Sequence, residues 1–258
     1  MWFQRKWNME KSIEPLGVRS SGFGVAVEVP RSRVRPLLTL GCSWGTGYFR
    51  YRMINSAKNW DTPSLKVVDP TDGFVSLPLN QSNFEIQRPY NVPVDQRYSY
   101  VDGVHKMWVF DTDKPHFPAS NTRPRTELRI EGYDYSSGVW QFEGYGYVPS
   151  GTSGVCIMQV FGAQLHATTL MLRVYNGNLS YYKNPVIVPN IDNRWFKLNV
   201  IHDVEASKVT VFIDGVQMFE TDGRGGSDHF FKCGVYTQDD ASHRMESRWK
   251  GIKILKKD

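Results

Sequence analysis

The chain has 258 residues, a length that suits one large β-domain with a substantial core. Its formal charge of +5 is uneven: residues 1–68 carry a balance of +7 and residues 69–258 one of −2, so the basic character belongs to the N-terminal segment and argues against a nucleic-acid partner for the rest. Three scattered cysteines, Cys42, Cys156 and Cys233, exclude a disulfide scaffold and a zinc site.

Residues 1–68 read as a poorly structured basic extension. They lack a basic start followed by a long apolar run, and the stretch from Pro36 to Gly41 is too short for a signal core or a membrane span. From Asp69 the chain becomes rich in Val, Ile, Tyr, Phe and Trp, with turn residues returning about every ten residues, the rhythm of a jelly roll or β-sandwich. No persuasive helical period follows. The segment from Pro118 to Pro124 is a loop feeding a strand that starts near Arg123. Asn176-Gly177 and Asp214-Gly215 each place a hairpin turn between alternating segments. Trp195 to Ile201, Lys208 to Ile213 and Ser247 to Leu255 are further strands, and Trp140, Trp195 and Trp249 are expected to pack the sandwich. Asp222-Gly223-Arg224-Gly225-Gly226 lacks a phosphate-binding lysine and a following helix, and is expected to form a mobile rim.

Three segments carry polar residues at strand spacing. In Arg123-Pro124-Arg125-Thr126-Glu127-Leu128-Arg129, alternation puts Arg125, Glu127 and Arg129 on one face, with Thr126, Leu128 and Ile130 behind. The same alternation puts Ile157, Gln159 and Phe161 on one face, with Cys156, Met158 and Val160 behind. It sets Lys232, Gly234, Tyr236 and Gln238 against Cys233, Val235 and Thr237. Cys156 and Cys233 then fall on the apolar side, as buried thiols or as a bridge to each other. Alternation alone also fits an ion-paired ladder on an exposed sheet face, with Glu127 orienting its two arginines.

Taken in order, the three segments resemble the signature strands of the alginate-lyase-like superfamily of uronate polysaccharide lyases, R-(S/T)-E-L-R, Q-(I/V)-H and Y-F-K-x-G-x-Y-x-Q. Asp69-Pro70-Thr71-Asp72-Gly73-Phe74, the stretch from Asn121 to Gly146 and Asp222 to Gly226 resemble more closely the plant citrate-binding protein family within that superfamily. The resemblance covers residues 69–257. It implies an all-β jelly-roll sandwich whose concave sheet gathers the three polar faces into a groove, and a vacuolar or secreted, cell-wall setting.

In such a groove Arg125, Arg129 and Lys232 are cations, Gln159 and Gln238 are neutral donors, and Tyr236 is a phenol able to donate or lose its proton. A carboxylate polyanion, citrate or an acidic uronate saccharide, is the ligand this favours. β-Elimination needs a neutralised carboxylate, a base and an acid. By the resemblance Gln159 and Arg125 neutralise and Tyr236 is the acid, but the motif histidine is Phe161 here. Binding is therefore favoured over catalysis, and Phe161 becomes an apolar platform for the ligand. The alternatives are a lyase in which His105 or His166 replaces the missing histidine beside Tyr236, and a non-catalytic cell-wall carbohydrate-binding module. No metal or other cofactor is demanded, no membrane span is present in the sequence, and the expected state is a monomer.

Overall fold

The structure, a computed structural model, describes residues 66–165 and 167–257. Cys42, His166 and all but the last three residues of the predicted extension lie outside them. Val67 and Val68 already belong to the folded part: Val67 bridges to Val216, and the Val68 amide donates to the Gly215 carbonyl at 2.9 Å.

The described residues form fifteen strands and two short 3-10 turns. The strands are β1 (Val75–Ser76), β2 (Phe84–Gln87), β3 (Tyr98–Val101), β4 (Val104–Phe110), β5 (Arg125–Ile130), β6 (Val139–Tyr147), β7 (Val155–Phe161) and β8 (Thr168–Tyr175). They continue as β9 (Asn178–Tyr181), β10 (Val186–Val188), β11 (Trp195–Asp203), β12 (Lys208–Ile213), β13 (Val216–Asp222), β14 (Phe230–Thr237) and β15 (Arg244–Lys257). Two antiparallel sheets pack into a jelly-roll sandwich. One runs β13-β12-β11-β6-β15-β4-β3, with β1 added on β15, and the other runs β10-β9-β8-β7-β14-β5-β2. No helix among the described residues is long and apolar enough to cross a membrane.

The hairpin turns form as their dipeptides require. Asn176 and Gly177 have φ of +49° and +75°, and Asp214 and Gly215 have +52° and +80°. Both central residues therefore adopt the positive φ whose twist matches the flanking strands.

The core lies between the sheets and contains Leu128, Ile130, Cys233 and Val235 from the second sheet and Phe142, Phe196, Leu198 and Trp249 from the first. Trp140 joins it, stacked on Tyr135 with centroids 4.8 Å apart. Trp195 does not. It sits at the start of β11, 36% exposed, with the Lys250 ammonium 4.4 Å from its ring. Core alternation along β11 runs through Phe196, Leu198 and Val200, which puts Trp195 on the opposite face.

The outer face of the first sheet is a charged lattice. Glu143 is buried, yet Lys197 at 2.8 Å, Lys253 at 2.9 Å and Asn199 at 3.0 Å all bond to it. Burial alone would raise its pKa, but these bonds outweigh that and hold it below the usual carboxylate range.

Gly234 in β14 has φ of +146°, and a Cβ there would stand 2.4 Å from the Thr126 carbonyl oxygen and 2.7 Å from the Glu127 Cα. Both obstacles are backbone of β5. Gly234→Ala is therefore expected to lower stability by about 2 kcal/mol or more, read from urea unfolding. An unchanged midpoint would mean that β5 and β14 are less closely apposed.

Candidate functional site

The three motif strands are neighbours in the second sheet, in the order β7-β14-β5. Their pairing sets the site. Lys232 lies opposite both Arg129 and Gln159, and Tyr236 lies opposite both Arg125 and Cys156. On β5 the predicted alternation holds. Leu128 and Ile130 enter the core, and the Thr126 hydroxyl donates to the Trp108 carbonyl at 2.9 Å.

On β7 the alternation fails at its start. The register shifts between Cys156 and Met158 against β8, and between Cys233 and Tyr236 against β14. This bulge inserts one residue and reverses the parity before it. Ile157 therefore packs in the core with Met158 and Val160. Cys156, expected behind the face, lies on it between Tyr236 and Arg173, whereas Cys233 stays in the core. The two thiols are free and unbridged. Burial and the nearby Glu127 carboxylate push the Cys156 thiol well above its ordinary pKa, which makes it a poor nucleophile.

Arg125, Glu127, Gln159 and Lys232 form one buried cluster around the Glu127 carboxylate, which is fully buried. Arg125 donates to its Oε2 at 3.2 Å, Gln159 Nε2 donates to its Oε1, and Lys232 Nζ lies 4.0 Å away. Lys232 Nζ also donates to the Gln87 side-chain oxygen at 2.6 Å. Burial pulls the Lys232 pKa below the ordinary lysine value; Glu127 opposes this, and Arg125 and Arg129 reinforce it. The Arg125 guanidinium lies 3.8 Å over the Tyr236 ring, and its buried Nε has no hydrogen-bond partner.

Beside this cluster is an aromatic one. Phe161 stacks on Phe230 with centroids 4.6 Å apart, and Lys232 Nζ is 5.5 Å from the Phe161 centroid. Arg129 covers Phe230 at 4.1 Å, but Glu131 at 3.1 Å and Asp134 at 2.5 Å already hold its charge. Gln238 bonds back to the Tyr236 carbonyl at 3.2 Å, so its amide is tied to its own strand.

The exposed charge ladder is thus ruled out: Arg125, Glu127 and Lys232 are each at least nine-tenths buried. A cleft of about 410 Å³ lies elsewhere, lined by Thr152, Ser153, Asn176, Asp192, Asp240 and Ser242, with no member of the cation cluster.

His105 is not on this face. It lies on β4 with Met107 and Val109, on the core side of the other sheet. There its Nδ1 shares a 2.9 Å hydrogen bond with the Tyr98 hydroxyl, and burial lowers its pKa to about 4. The loop after β13 is fastened by Arg224, which donates to the Tyr181 and Tyr182 hydroxyls at 2.9 Å each. Among the described residues no three His, Cys, Asp or Glu side chains gather into a metal-holding group.

Gln87 and Arg173 escaped the sequence reading. Gln87 sits on the edge strand β2, opposite Glu127. Arg173 sits on β8, whose alternation was readable: Leu170, Leu172 and Val174 point to the core, leaving Met171, Arg173 and Tyr175 on the site face.

The family described as alginate lyase matches residues 77–256. The chain belongs to the alginate lyase family. Within reach of this family member is a citrate-binding protein of Hevea brasiliensis, 55% identical over 191 residues, covering 74% of this chain and 80% of that one. Among solved structures, alginate lyase AlgAT5 of polysaccharide lyase family 7 superposes with a TM-score of 0.56 at 16% identity, over 72% of this chain and 97% of that one. The alginate lyase from Corynebacterium sp. does so with a TM-score of 0.53 at 15% identity, over 70% and 92%. At such identities these two show the fold alone.

Proposed function

We propose that the face formed by β5, β14, β7 and β8 binds a carboxylate polyanion, citrate or an acidic uronate saccharide. The observation that carries this reading is an excess of cation over carboxylate on one buried sheet face. Arg125, Lys232 and Arg173 share the face with Glu127 and, on the edge strand, Glu85, since Arg129 is held by Glu131 and Asp134, so three cations face two carboxylates. Buried guanidinium donors without acceptors are costly, and a ligand carboxylate supplies the acceptors they lack. The half-buried Phe161 and Phe230 offer an apolar surface beside the cations for a sugar ring or the methylene arms of citrate.

The Hevea citrate-binding protein supports citrate as one ligand to test, and the alginate lyase fold supports a uronate. In calorimetric titrations, Arg125→Ala and Lys232→Ala are each expected to weaken binding by roughly tenfold or more, as for a lost hydrogen bond to a charged group. Unchanged affinity in both variants would refute the site.

One observation favours a second reading, elimination at the same face. Arg125 packs on Tyr236, where it would stabilise charge developing on the phenolic oxygen as a proton moves. Against this, Phe161 holds the place of the motif base and is stacked on Phe230, and His105 lies on the far side of the core. A base in position is worth about 10²–10⁴ in rate. Phe161→His should therefore raise any elimination activity on glucuronan or alginate by that order if only the base is missing. No gain, with binding retained, leaves the face a binding site, for a small polyanion or for a cell-wall polymer held uncut.

A further inference from the structure

The cation cluster continues one strand beyond the motif strands. Strand pairing aligns Arg125, Tyr236, Cys156 and Arg173 in a single row across β5, β14, β7 and β8. At the usual spacing of about 4.8 Å between strands, the two arginines start about 14 Å apart, a gap that two arginine side chains reach across from both ends.

Their situations are alike. Each has a buried Nε without a hydrogen-bond partner. Arg173 has no carboxylate partner among the described residues. It donates only to the soft Met171 sulfur, at 3.2 Å, and its guanidinium lies 5.0 Å from the Tyr182 ring centroid. Arg125 spends one donor on Glu127 and rests on Tyr236. In the row Cys156 stands directly opposite Arg173 and one strand nearer to it than Tyr236. Cysteine is small, and its placement here by the β7 bulge leaves Tyr236, with Arg125 over its ring, as the one large side chain in the row between the two charges.

We propose that Arg173 and Arg125 form a paired carboxylate seat spanning Tyr236 and Cys156, and that the ligand of this face presents at least two carboxylates to it at once. This rests on the reading of the face as a carboxylate site and extends it. Arg125 takes one carboxylate and Arg173 takes a second. A ligand with a single carboxylate fills only one end, so Arg173 sets the preference for polycarboxylates.

The test is calorimetric titration of the full chain with citrate, and displacement of citrate by lactate, a hydroxy acid with one carboxylate. Arg173→Gln is expected to weaken citrate binding roughly tenfold or more, to narrow the preference for citrate over lactate, and to leave the unfolding midpoint near that of the parent. Arg173→Lys, which keeps the charge but loses the fork, should recover part of the loss. If Arg125→Gln weakens citrate and Arg173→Gln does not, the paired seat is wrong and the carboxylate site stands. If the parent protein binds an oligouronate but no citrate, the paired seat is wrong and the carboxylate site stands; if neither substitution alters binding, or the parent binds neither ligand, both readings fall.

Discussion

Glu127→Ala is expected to destabilise the fold by about 3–5 kcal/mol, because it removes the partner of charges that stay buried. Glu127 is fully buried and meets Arg125 at 3.2 Å, Gln159 through a hydrogen bond and Lys232 at 4.0 Å. Without it Arg125 and Lys232 repel each other in a poorly solvated place. Glu127→Gln keeps the shape and one acceptor, and should cost less. Urea unfolding of the two variants and the parent at pH 7 measures this. A loss under about 1 kcal/mol for the alanine variant would mean that the cluster is far more hydrated than its burial indicates.

Acid is expected to weaken the protein before any carboxylate titrates. His105 and His202 are buried, and burial lowers each pKa to about 4 from an ordinary 6.5; at His202 the neighbouring His229 adds to the effect. Between those values the unfolded chain takes up protons that the folded chain refuses. The stability that depends on these histidines is therefore full above about pH 6.5, falls as the pH drops toward 4, and changes no further below that. Each shift of about 2.5 units corresponds to roughly 3 kcal/mol.

His202 has a hydrogen bond of 3.0 Å with the Tyr135 hydroxyl, and its ring meets His229 edge-on at 4.6 Å. Charging it thus disturbs a packed aromatic group. The buried glutamates Glu143 and Glu246 have lowered pKa values, so their contribution is lost only below their ordinary value of 4.5. Urea midpoints at pH 7.5, 6, 5 and 4.5, about the range bounded by these titrations, isolate the histidines. His105→Asn and His202→Asn should each flatten the pH slope. A slope the same in both variants as in the parent would refute the assignment.

Much of this architecture was legible because β-strand alternation is strict wherever one face is buried. The faces of Arg125 to Ile130 and of Lys232 to Val235, and both Gly-containing hairpins, followed from period and turn chemistry alone. The β7 bulge was not legible. It is a property of pairing between strands, and nothing in Val155 to Phe161 announces the extra residue that turns Cys156 outward and Ile157 inward. His105 was misplaced for a different reason. Its strand repeats His105, Met107, Val109 on one face, an alternation that points to the core and outweighs the chemistry that made His105 a candidate base. Trp195 shows the reverse error, where residue type outweighed alternation. The closeness of the cation cluster was hidden too, since a sequence shows which charges share a face but not how tightly they fold onto one carboxylate.

A site face that binds carboxylates without cleaving a polymer makes two joint demands, binding and no elimination. The most direct measurement is titration of the purified protein with citrate and with an oligouronate by calorimetry, alongside absorbance at about 235 nm on glucuronan, alginate and pectate, where an unsaturated elimination product would absorb. Saturable heat with a flat absorbance trace is the predicted result. A sustained rise abolished by Tyr236→Phe, or no heat with either ligand, would contradict it.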